Sequence, residues 1–332
     1  MNNILRWLCI AAAGAAVSAG AQAQTELRLL NGFDNRYSAT PLVVEKYAET
    51  IKRETGGRIS IRIHGPEVVS GFEQFQPVSK GAFDMLFTVP SYHLGTSAVS
   101  HALQALEPQP ELWRTNGVYE FADKEYQRHN LKLLAIISNT LPGKGVFHAM
   151  LKQPLGPAGD LAGRKLRGNS NYQGIAETMG ASMVVLQGGE VYSALQRGVI
   201  DGVFFSVLGS TDFKWYEQGR FMTRPRFGYG LFFLLMNVDR FNKLGPADQR
   251  IFVEEGRKLE ISSMKVLDQR TDQEEADLLK HGVKETPFNK DKFDKASQAH
   301  AEGLWKTALA SKASGEQVRA LLDLVRSKGL WK

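Results

Sequence analysis

The chain has almost no cysteine. The only one among its 332 residues is Cys9, near the N-terminus, so residues 24–332 can form no disulfide and offer no thiolate nucleophile. The apolar run at residues 7–20 is too short and too rich in alanine to predict a membrane span. These absences exclude a disulfide scaffold and cysteine-dependent catalysis.

Several motifs of catalysis and metal binding are also absent. The sequence has no G-x-S-x-G nucleophile elbow and no G-x-x-x-x-G-K-[ST] phosphate-binding loop. Its seven histidines show no H-x-x-x-H or comparable metal spacing, and no nucleic-acid-binding module is present. The sequence therefore predicts no cofactor, no metal site and no nucleic-acid partner, and it gives little support for an enzyme.

What is present begins with the pattern of a secretory signal peptide. Arg6 precedes the apolar residues 7–20, and Ala21-Gln22-Ala23 fits an A-x-A cleavage site. Cleavage there removes residues 1–23, including Cys9, and starts the mature chain at Gln24. We therefore expect the protein in a bacterial periplasm, without direct insertion into the membrane.

The charge balance is mildly basic, with 41 lysines and arginines against 35 acidic residues. The basic residues are scattered, as at Lys52-Arg53 and Arg164-Lys165, and form no dense run. This distribution is typical of an ordinary solvated surface, with a bias toward an anionic small molecule.

Strand and helix patterns alternate along the chain. Residues 58–64, RISIRIH, alternate at period two and predict a strand. Apolar runs at residues 27–30, 83–87, 132–138 and 227–237 predict further strands, and helical spacing lies between several of them. This alternation favours an α/β fold with a parallel-rich sheet.

A helical pattern from Pro246 to about His281 is roughly three times the length of an average helix. We expect this helix to bridge two domains. Its paired carboxylates, Glu254-Glu255 and Glu274-Glu275, predict a solvated face. Two further helices are predicted near residues 290–310 and 315–330.

Residues 163–202 are the most informative part of the sequence. They place Arg167 at the end of a short strand, before a helix-strand-helix-strand passage with glycines at its turns. An arginine in this position can bind a carboxylate through two parallel N–H···O bonds. From the residues alone, a surface ion pair is the commoner role of such an arginine. Glu190 in the same block predicts the capped start of a helix.

This block resembles the central region of the solute-binding proteins of tripartite ATP-independent periplasmic (TRAP) transporters, the DctP-type family. The resemblance rests on G-x-K-L-R at residues 163–167, on the Gly180-Ala181 turn and on E-V-Y-x-A-L-Q-x-G-x-x-D-G at residues 190–202. The motifs G-G-R-I-x-I at residues 56–61 and K-G-A-F-D-M at residues 80–85 extend it over essentially the whole mature chain.

The resemblance implies an α/β fold of the two-lobed periplasmic binding protein type, with an inter-lobe cleft and a long bridging helix. Each lobe is expected to be discontinuous, with residues 24–144 and 228–272 in lobe I and residues 145–227 and 273–332 in lobe II. The implied function is a periplasmic receptor that closes by a hinge around an organic acid. The receptor would deliver this carboxylate ligand to the integral membrane permease subunits of a TRAP system.

The resemblance also implies candidate ligand contacts. Arg167 falls at the position of the family's ligand-binding arginine and would bind the carboxylate. The other candidates lie at strand ends, on a strand that crosses between the lobes or beside Arg167: Asn31, Phe33, Tyr37, Val89, Tyr92, His93, Phe147, His148, Tyr172, Phe204, Phe205 and Trp215.

At Phe204 and Phe205 the sequence departs from the family's sialic-acid binders, which often carry a polar residue there. The departure replaces a second polar contact with an aromatic wall, and it predicts a carboxylate with an aromatic or apolar portion. Two alternatives stay open at this point. A periplasmic enzyme acting on organic acids could use His148 or His93 as its base, and the receptor of an ATP-driven importer would share the binding role.

Overall fold

Two β-sheets organise the described part of the chain, which is residues 24–332 of a computed structural model. The predicted signal peptide and Cys9 lie outside the described residues. The strands are β1 (Thr25–Asn31), β2 (Ile59–His64), β3 (Met85–Thr88), β4 (Leu131–Ser138), β5 (Phe147–Leu151), β6 (Lys165–Arg167), β7 (Ser182–Val184), β8 (Gly202–Ser206), β9 (Phe221–Arg224), β10 (Leu231–Asn237) and β11 (Lys284–Pro287).

Helices cover both sheets. They are α1 (Lys46–Glu54), α2 (Phe75–Ser79), α3 (Val99–Leu103), α4 (Pro110–Thr115), α5 (Val118–Gln127), α6 (Gln173–Met179), α7 (Gly188–Gln196), α8 (Val238–Asn242), α9 (Pro246–Lys280), α10 (Lys290–Leu309) and α11 (Gly315–Ser327). A π-helical turn at Thr40–Glu45 leads into α1. Within residues 24–332, no helix is both long and apolar enough to cross a bilayer.

The first sheet has the strand order β2-β1-β3-β10-β4, and with the helices packed on it we call it the first lobe. Strand β1 runs parallel to β2 and β3, whereas β10 runs antiparallel between β3 and β4. Strands β3, β10 and β4 are buried on both faces, which explains why their sequences read as continuous apolar runs rather than as alternating ones.

The second sheet has the order β11-β9-β5-β8-β6-β7 and defines the second lobe. Strand β5 runs antiparallel to β8 and β9, and β6 runs parallel to β7 and β8. The chain passes to this sheet after β4, returns after β9, and leaves the first lobe again through α9. The prediction of an α/β fold with two discontinuous lobes is confirmed.

Helix α9 is the predicted long bridging helix. Near its start it packs on the first lobe, where the Tyr47 hydroxyl donates to the Phe252 carbonyl oxygen. Further along, the Ile136 amide donates to Glu260 over 2.7 Å. Towards its end the helix meets the second lobe, and the fully buried Glu274 accepts bonds from the Gly209 and Thr211 amides. The prediction that Glu274 belongs to a solvated face was wrong, because α9 passes between packing surfaces on more than one side.

The packing of the last two helices was not predicted, and α10 links the two lobes. Helix α10 starts in the core of the second lobe with Phe293 and ends in that of the first lobe with Trp305. Helix α11 packs against α3 and α5 of the first lobe through Val318, Leu321 and Val325. The assignment of residues 273–332 to lobe II therefore does not describe α11, whose apolar face is buried on the first lobe. The other lobe boundaries stay a prediction.

Candidate functional site

A cavity lies between the two lobes at the ends of several strands. Phe33 follows β1 and Tyr92 follows β3, while Arg167 ends β6 and Phe205 lies on β8. The space between these side chains, counted together with its opening to solvent, is about 460 Å³. Binding sites of open α/β sheets form at strand ends in this way, because loops there bring side chains from several strands together.

Arg167 supplies the positive charge of this cavity. The residue is 1% exposed, and its Nε donates a 2.9 Å hydrogen bond to the Leu186 carbonyl oxygen. Its guanidinium carbon lies 5.6 Å from the ring centre of Phe205. Nη1 has no hydrogen-bond partner among residues 24–332, and no lining residue is a carboxylate. A buried cation without a counter-ion is unfavourable, so this geometry fits the binding of an anion.

Aromatic side chains form much of the remaining wall. They are Phe33, Tyr37, Tyr92, Phe147, Tyr172, Phe205 and Phe232. The Phe33 ring lies 4.8 Å from Tyr37 and 5.5 Å from Phe232, centre to centre. Burial raises the pKa of Tyr92 and of Tyr172, and the nearby Arg167 opposes this effect at both. Both phenols are therefore neutral, and the wall combines apolar rings with hydroxyl donors.

Neutral polar groups complete the lining, and the sequence did not point to them. They are Ser91, Gln104, Asn139, Asn169, Asn171 and Ser206. Nδ2 of Asn139 lies 3.4 Å from the Ser206 hydroxyl, and the Asn171 amide nitrogen of the backbone donates to Asn169 Oδ1 over 3.0 Å. The side-chain Oδ1 atoms of Asn139 and Asn171 are buried and accept no hydrogen bond from the described residues. Asn139 directly follows β4 and Asn171 lies in the turn after β6, and these positions near strand ends were the signal that could have identified them.

Eight of the residues proposed from sequence line the cavity together: Phe33, Tyr37, Val89, Tyr92, Phe147, Arg167, Tyr172 and Phe205. Asn31 lies behind this wall instead. Its Nδ2 donates to the Thr40 hydroxyl over 2.8 Å, and its Oδ1 accepts the Phe33 amide over 3.2 Å. Asn31 therefore shapes the turn that presents Phe33, because its polar atoms are used within the first lobe.

His93 and His148 do not line the cavity. His93 stacks on Phe75 and its Nε2 lies 3.1 Å from the Tyr126 hydroxyl, while burial lowers its pKa to about 3. Nε2 of His148 lies 3.3 Å from the Ser210 hydroxyl, and burial lowers its pKa well below the usual value, with Arg224 adding to the effect. Both imidazoles are neutral and face away from the ligand space, so neither serves the enzymatic alternative as a base.

Phe204 and Trp215 also lie outside the cavity. Phe204 is on the opposite face of β8 from Phe205, because successive side chains of a strand point to opposite faces. It is fully buried and stacks on Tyr172 with ring centres 5.4 Å apart. Trp215 lies behind Phe205, with its ring 4.9 Å away. Both residues support the wall rather than form it.

The mouth of the cleft adjoins this cavity and shares Phe33, Tyr92, Arg167 and Phe205 with it. There, Nε2 of Gln187 in the second lobe donates to the Ser70 hydroxyl of the first lobe over 3.0 Å. Gln187 also begins α7 in a capping box with Glu190, which confirms the predicted capping role of that residue. The two lobes thus contact each other across the mouth, and the cleft is closed.

Known proteins resemble this chain over most of its length. The family model of the bacterial extracellular solute-binding proteins, family 7, matches residues 37–311. A solute-binding protein of Albidiferax ferrireducens is 28% identical over 218 residues. These residues are 63% of this chain and 63% of that protein, so less than two thirds of the relative's length is matched.

Solved structures share the fold at low sequence identity. A TRAP periplasmic solute-binding protein of Desulfovibrio salexigens with bound orotic acid has a TM-score of 0.78 and 19% identity, covering 91% of this chain and 99% of that one. A Bordetella pertussis extracytoplasmic solute receptor that binds pyroglutamic acid has a TM-score of 0.77 and 17% identity, with the same coverage.

These findings confirm the resemblance seen in the sequence. The family binds solutes for transport and its members are named as solute-binding proteins, so the functional class is a receptor and not an enzyme. The chain belongs to family 7 of the bacterial extracellular solute-binding proteins, the DctP family.

Proposed function

We propose that this protein is a periplasmic receptor for a small monocarboxylate that carries a ring or another compact apolar portion. Arg167 binds the carboxylate from the second lobe, and Phe33 and Tyr92 cover the ligand from the first lobe. The predicted signal peptide directs the chain to the periplasm, and the permease subunits of a TRAP system take the ligand from the closed receptor.

The buried and unpaired guanidinium of Arg167 is the observation that carries this proposal. A carboxylate there receives charge-assisted hydrogen bonds in a site from which water is excluded, where electrostatic attraction is stronger than in solution. Arg167 is the single lysine or arginine that lines the cavity. A second carboxylate would therefore face aromatic rings and neutral amides, which favours a monocarboxylate over a dicarboxylate.

The other walls support a ring-bearing acid. Aromatic side chains surround the space next to Arg167, and flat rings pack well against them. The free Oδ1 atoms of Asn139 and Asn171 provide acceptors for an N–H or O–H group of the ligand. The relatives that bind orotic acid and pyroglutamic acid hold small cyclic carboxylic acids with ring N–H groups, and such acids fit the same set of groups here.

Closure of the lobes would couple binding to transport. A ligand that contacts both lobes favours the closed state by its difference in affinity between the closed and open states. The cavity walls come from both lobes, with Phe33 and Tyr92 on one side and Arg167 and Phe205 on the other. The closed form would then be the one that the permease recognises.

Calorimetry on purified mature protein tests the carboxylate site. We expect Arg167→Ala to weaken binding of pyroglutamate and orotate about 30-fold or more, because charge-assisted pairs in buried sites contribute about 2–5 kcal/mol when one partner is removed. Arg167→Lys keeps the charge but loses the planar fork, so an intermediate loss is expected. Lys165→Ala, an exposed position on the same strand, is the matched control.

The same variants separate a binding role from a structural one. Removal of an unpaired buried cation should leave the melting temperature of the ligand-free protein unchanged or raised. In a thermal-shift panel, ring-bearing carboxylates should stabilise the wild type more than succinate or sialic acid. Tight binding by Arg167→Ala would overturn the assignment of the site, and the opposite ranking would overturn the ligand class.

A further inference from the structure

Beside the ligand cavity, a second set of polar groups joins the two lobes. The residues are Tyr37 and Ser38 of the first lobe, the loop 209–213 of the second lobe, and Arg270 and Glu274 of α9. Asp212 and Ser38 do not line the ligand cavity. Of the set, Tyr37 lines the cavity, whereas Ser38 and Asp212 have no direct part in the proposed contact with the carboxylate.

Asp212 connects the lobes through short hydrogen bonds. Its Oδ2 accepts the backbone amide of Ser38 and the Ser38 hydroxyl, each over 2.7 Å. Its Oδ1 accepts Nη2 of Arg270 over 3.1 Å, and Nε of Arg270 donates to the Ser38 hydroxyl over 3.1 Å. One carboxylate thus holds the first lobe, the second lobe and the bridging helix together.

Glu274 of α9 binds the loop that carries Asp212. Glu274 accepts the Gly209 amide over 2.9 Å and the Thr211 amide over 3.0 Å, and it lies 3.4 Å from Nε of Arg270. Burial raises the pKa of Glu274, and the charge of Asp212 adds to the effect. The three amide and guanidinium donors on the loop and the helix compensate for the two buried carboxylates.

Aromatic contacts beside Asp212 join these polar groups to the cavity. Tyr37, which lines the cavity, stacks on Phe213 with ring centres 6.0 Å apart and an angle of 11°. Gly209 has a φ of +98°, and a Cβ atom there would lie 2.6 Å from the Tyr37 ring. Glycine therefore leaves the space that the Tyr37 ring occupies when the lobes meet.

We propose that Ser38 and Asp212 form a latch between the lobes, which sets the population of the closed state and the residence time of the ligand. The inference rests on the proposed function, because it concerns the closure of that same cleft. Both residues are positioning residues: they act through Tyr37 and Phe213, and not by contact with the carboxylate.

The absence of cysteine from residues 24–332 allows a direct measurement. Val68 of the first lobe and Val185 of the second are 51% and 60% exposed and adjoin the residues of the cleft mouth. Spin labels on Val68→Cys and Val185→Cys would report the distance across the mouth by pulsed electron paramagnetic resonance. The measurement is made on the full mature chain, with and without 10 mM pyroglutamate as the probe.

Asp212→Asn is the main test variant. Its one carbonyl oxygen can still accept the Ser38 donors, but an NH2 group replaces the oxygen that accepts from Arg270, and the charge that pairs with Arg270 is lost. In whichever condition the wild type shows the short distance, we expect the ratio of long to short distances to rise about tenfold. Ser38→Ala, which keeps the backbone donor, should give a smaller change in the same direction. Asp277→Asn is the control, because this carboxylate pairs with Lys280 on the same helix.

Each outcome decides for or against the latch. A wild type with only the long distance in both conditions would overturn it, as would an Asp212→Asn distribution equal to that of the wild type. Equal shifts in Asp212→Asn and Asp277→Asn would assign the effect to damage of α9 and would also overturn it. Loss of binding in Arg167→Ala is a separate result, so failure of the carboxylate site and failure of the latch can be told apart.

Discussion

Two buried charged groups lie where the lobes meet, and they differ in how they are paired. Arg167 makes one hydrogen bond through Nε, and its Nη1 has no partner among residues 24–332. Asp212 accepts bonds from Ser38 and Arg270 with both of its oxygens. The first group is incomplete within the closed protein, whereas the second is satisfied by protein donors alone.

This difference separates recognition from closure. A buried charge that lacks a partner in the protein is a position for an oppositely charged ligand, because the ligand offsets the free-energy cost of burying an unpaired charge. A buried charge that bridges both lobes with protein partners stabilises the closed state without the ligand. In the proposed receptor, binding would thus be divided between a site that needs the ligand and a contact that does not.

We expect the largest change in closure from a substitution at Gly209 that alters the latch without changing any charge. Gly209→Ala places a methyl group 2.6 Å from the Tyr37 ring and forces alanine into a left-handed φ of +98°. A methyl group forced against a packed ring costs about 2 kcal/mol, and this clash exists only where the lobes meet, so we expect an open-to-closed ratio raised by about 30-fold. The distance across labels at Val68 and Val185 measures it.

Gly156→Ala is the control for this change, because no atom lies within 4 Å of the Cβ position there. The control should leave the distance distribution unchanged. If Gly209→Ala closes as well as the wild type does, the close approach of Tyr37 to Gly209 does not form in solution. The contact around Asp212 then would not stabilise the closed state, and its contrast with Arg167 would fail.

Much of the fold could be predicted because local patterns matched it. The alternation in residues 58–64 predicted β2, and the length of the helical pattern from Pro246 predicted the bridging helix. The path of α10 and α11 could not be predicted in the same way. An amphipathic sequence shows that a helix has an apolar face, but it does not show which lobe covers that face.

The site was predictable where a motif fixed it and less so elsewhere. Arg167 was found because the surrounding block is specific, and Phe205 because of its place on the following strand. Asn139 and Asn171 were missed because asparagine is common in turns, and only burial shows that their oxygens lack partners. Glu274 was misjudged because adjacent glutamates on a helix usually indicate a solvated face.

A buried histidine tests whether an unpaired group always marks a ligand site. Neither ring nitrogen of His300 has a partner in residues 24–332, and burial lowers its pKa to about 4. An unfolded histidine titrates near 6.5, so the unfolded chain binds a proton that the folded chain does not, and stability falls as the pH falls from about 6.5 to 4. One such group contributes about 1.4 kcal/mol per pH unit.

We expect His300→Leu to reduce the slope of the free energy of unfolding against pH by the equivalent of one proton. Urea unfolding between pH 7 and 4.5 measures this slope. The exposed His281→Leu is the control and should keep the wild-type slope. A reduced slope would extend the comparison of unpaired buried groups from Arg167 to His300, because a neutral imidazole tolerates the lack of a partner better than a guanidinium does. An unchanged slope in His300→Leu would mean that His300 is accessible to protons in the folded state.

The smallest effect concerns how Arg167 is held before the ligand arrives. Its guanidinium carbon lies 5.6 Å from the centre of the Phe205 ring, within the range of a cation–π interaction. Phe205→Leu keeps an apolar side chain but removes the ring, and we expect about fivefold weaker binding of pyroglutamate, or about 1 kcal/mol. Phe213→Leu is the control for a lost ring, since Phe213 stacks on Tyr37 and Trp215 instead.

If Phe205 only fills space, calorimetry will give the same affinity for Phe205→Leu as for the wild type. If the ring orients the unpaired cation, the loss will appear in affinity for the carboxylate while the distance across the cleft mouth stays the same. Phe213→Leu should give the reverse pattern, with a changed distance distribution, because its ring belongs to the latch.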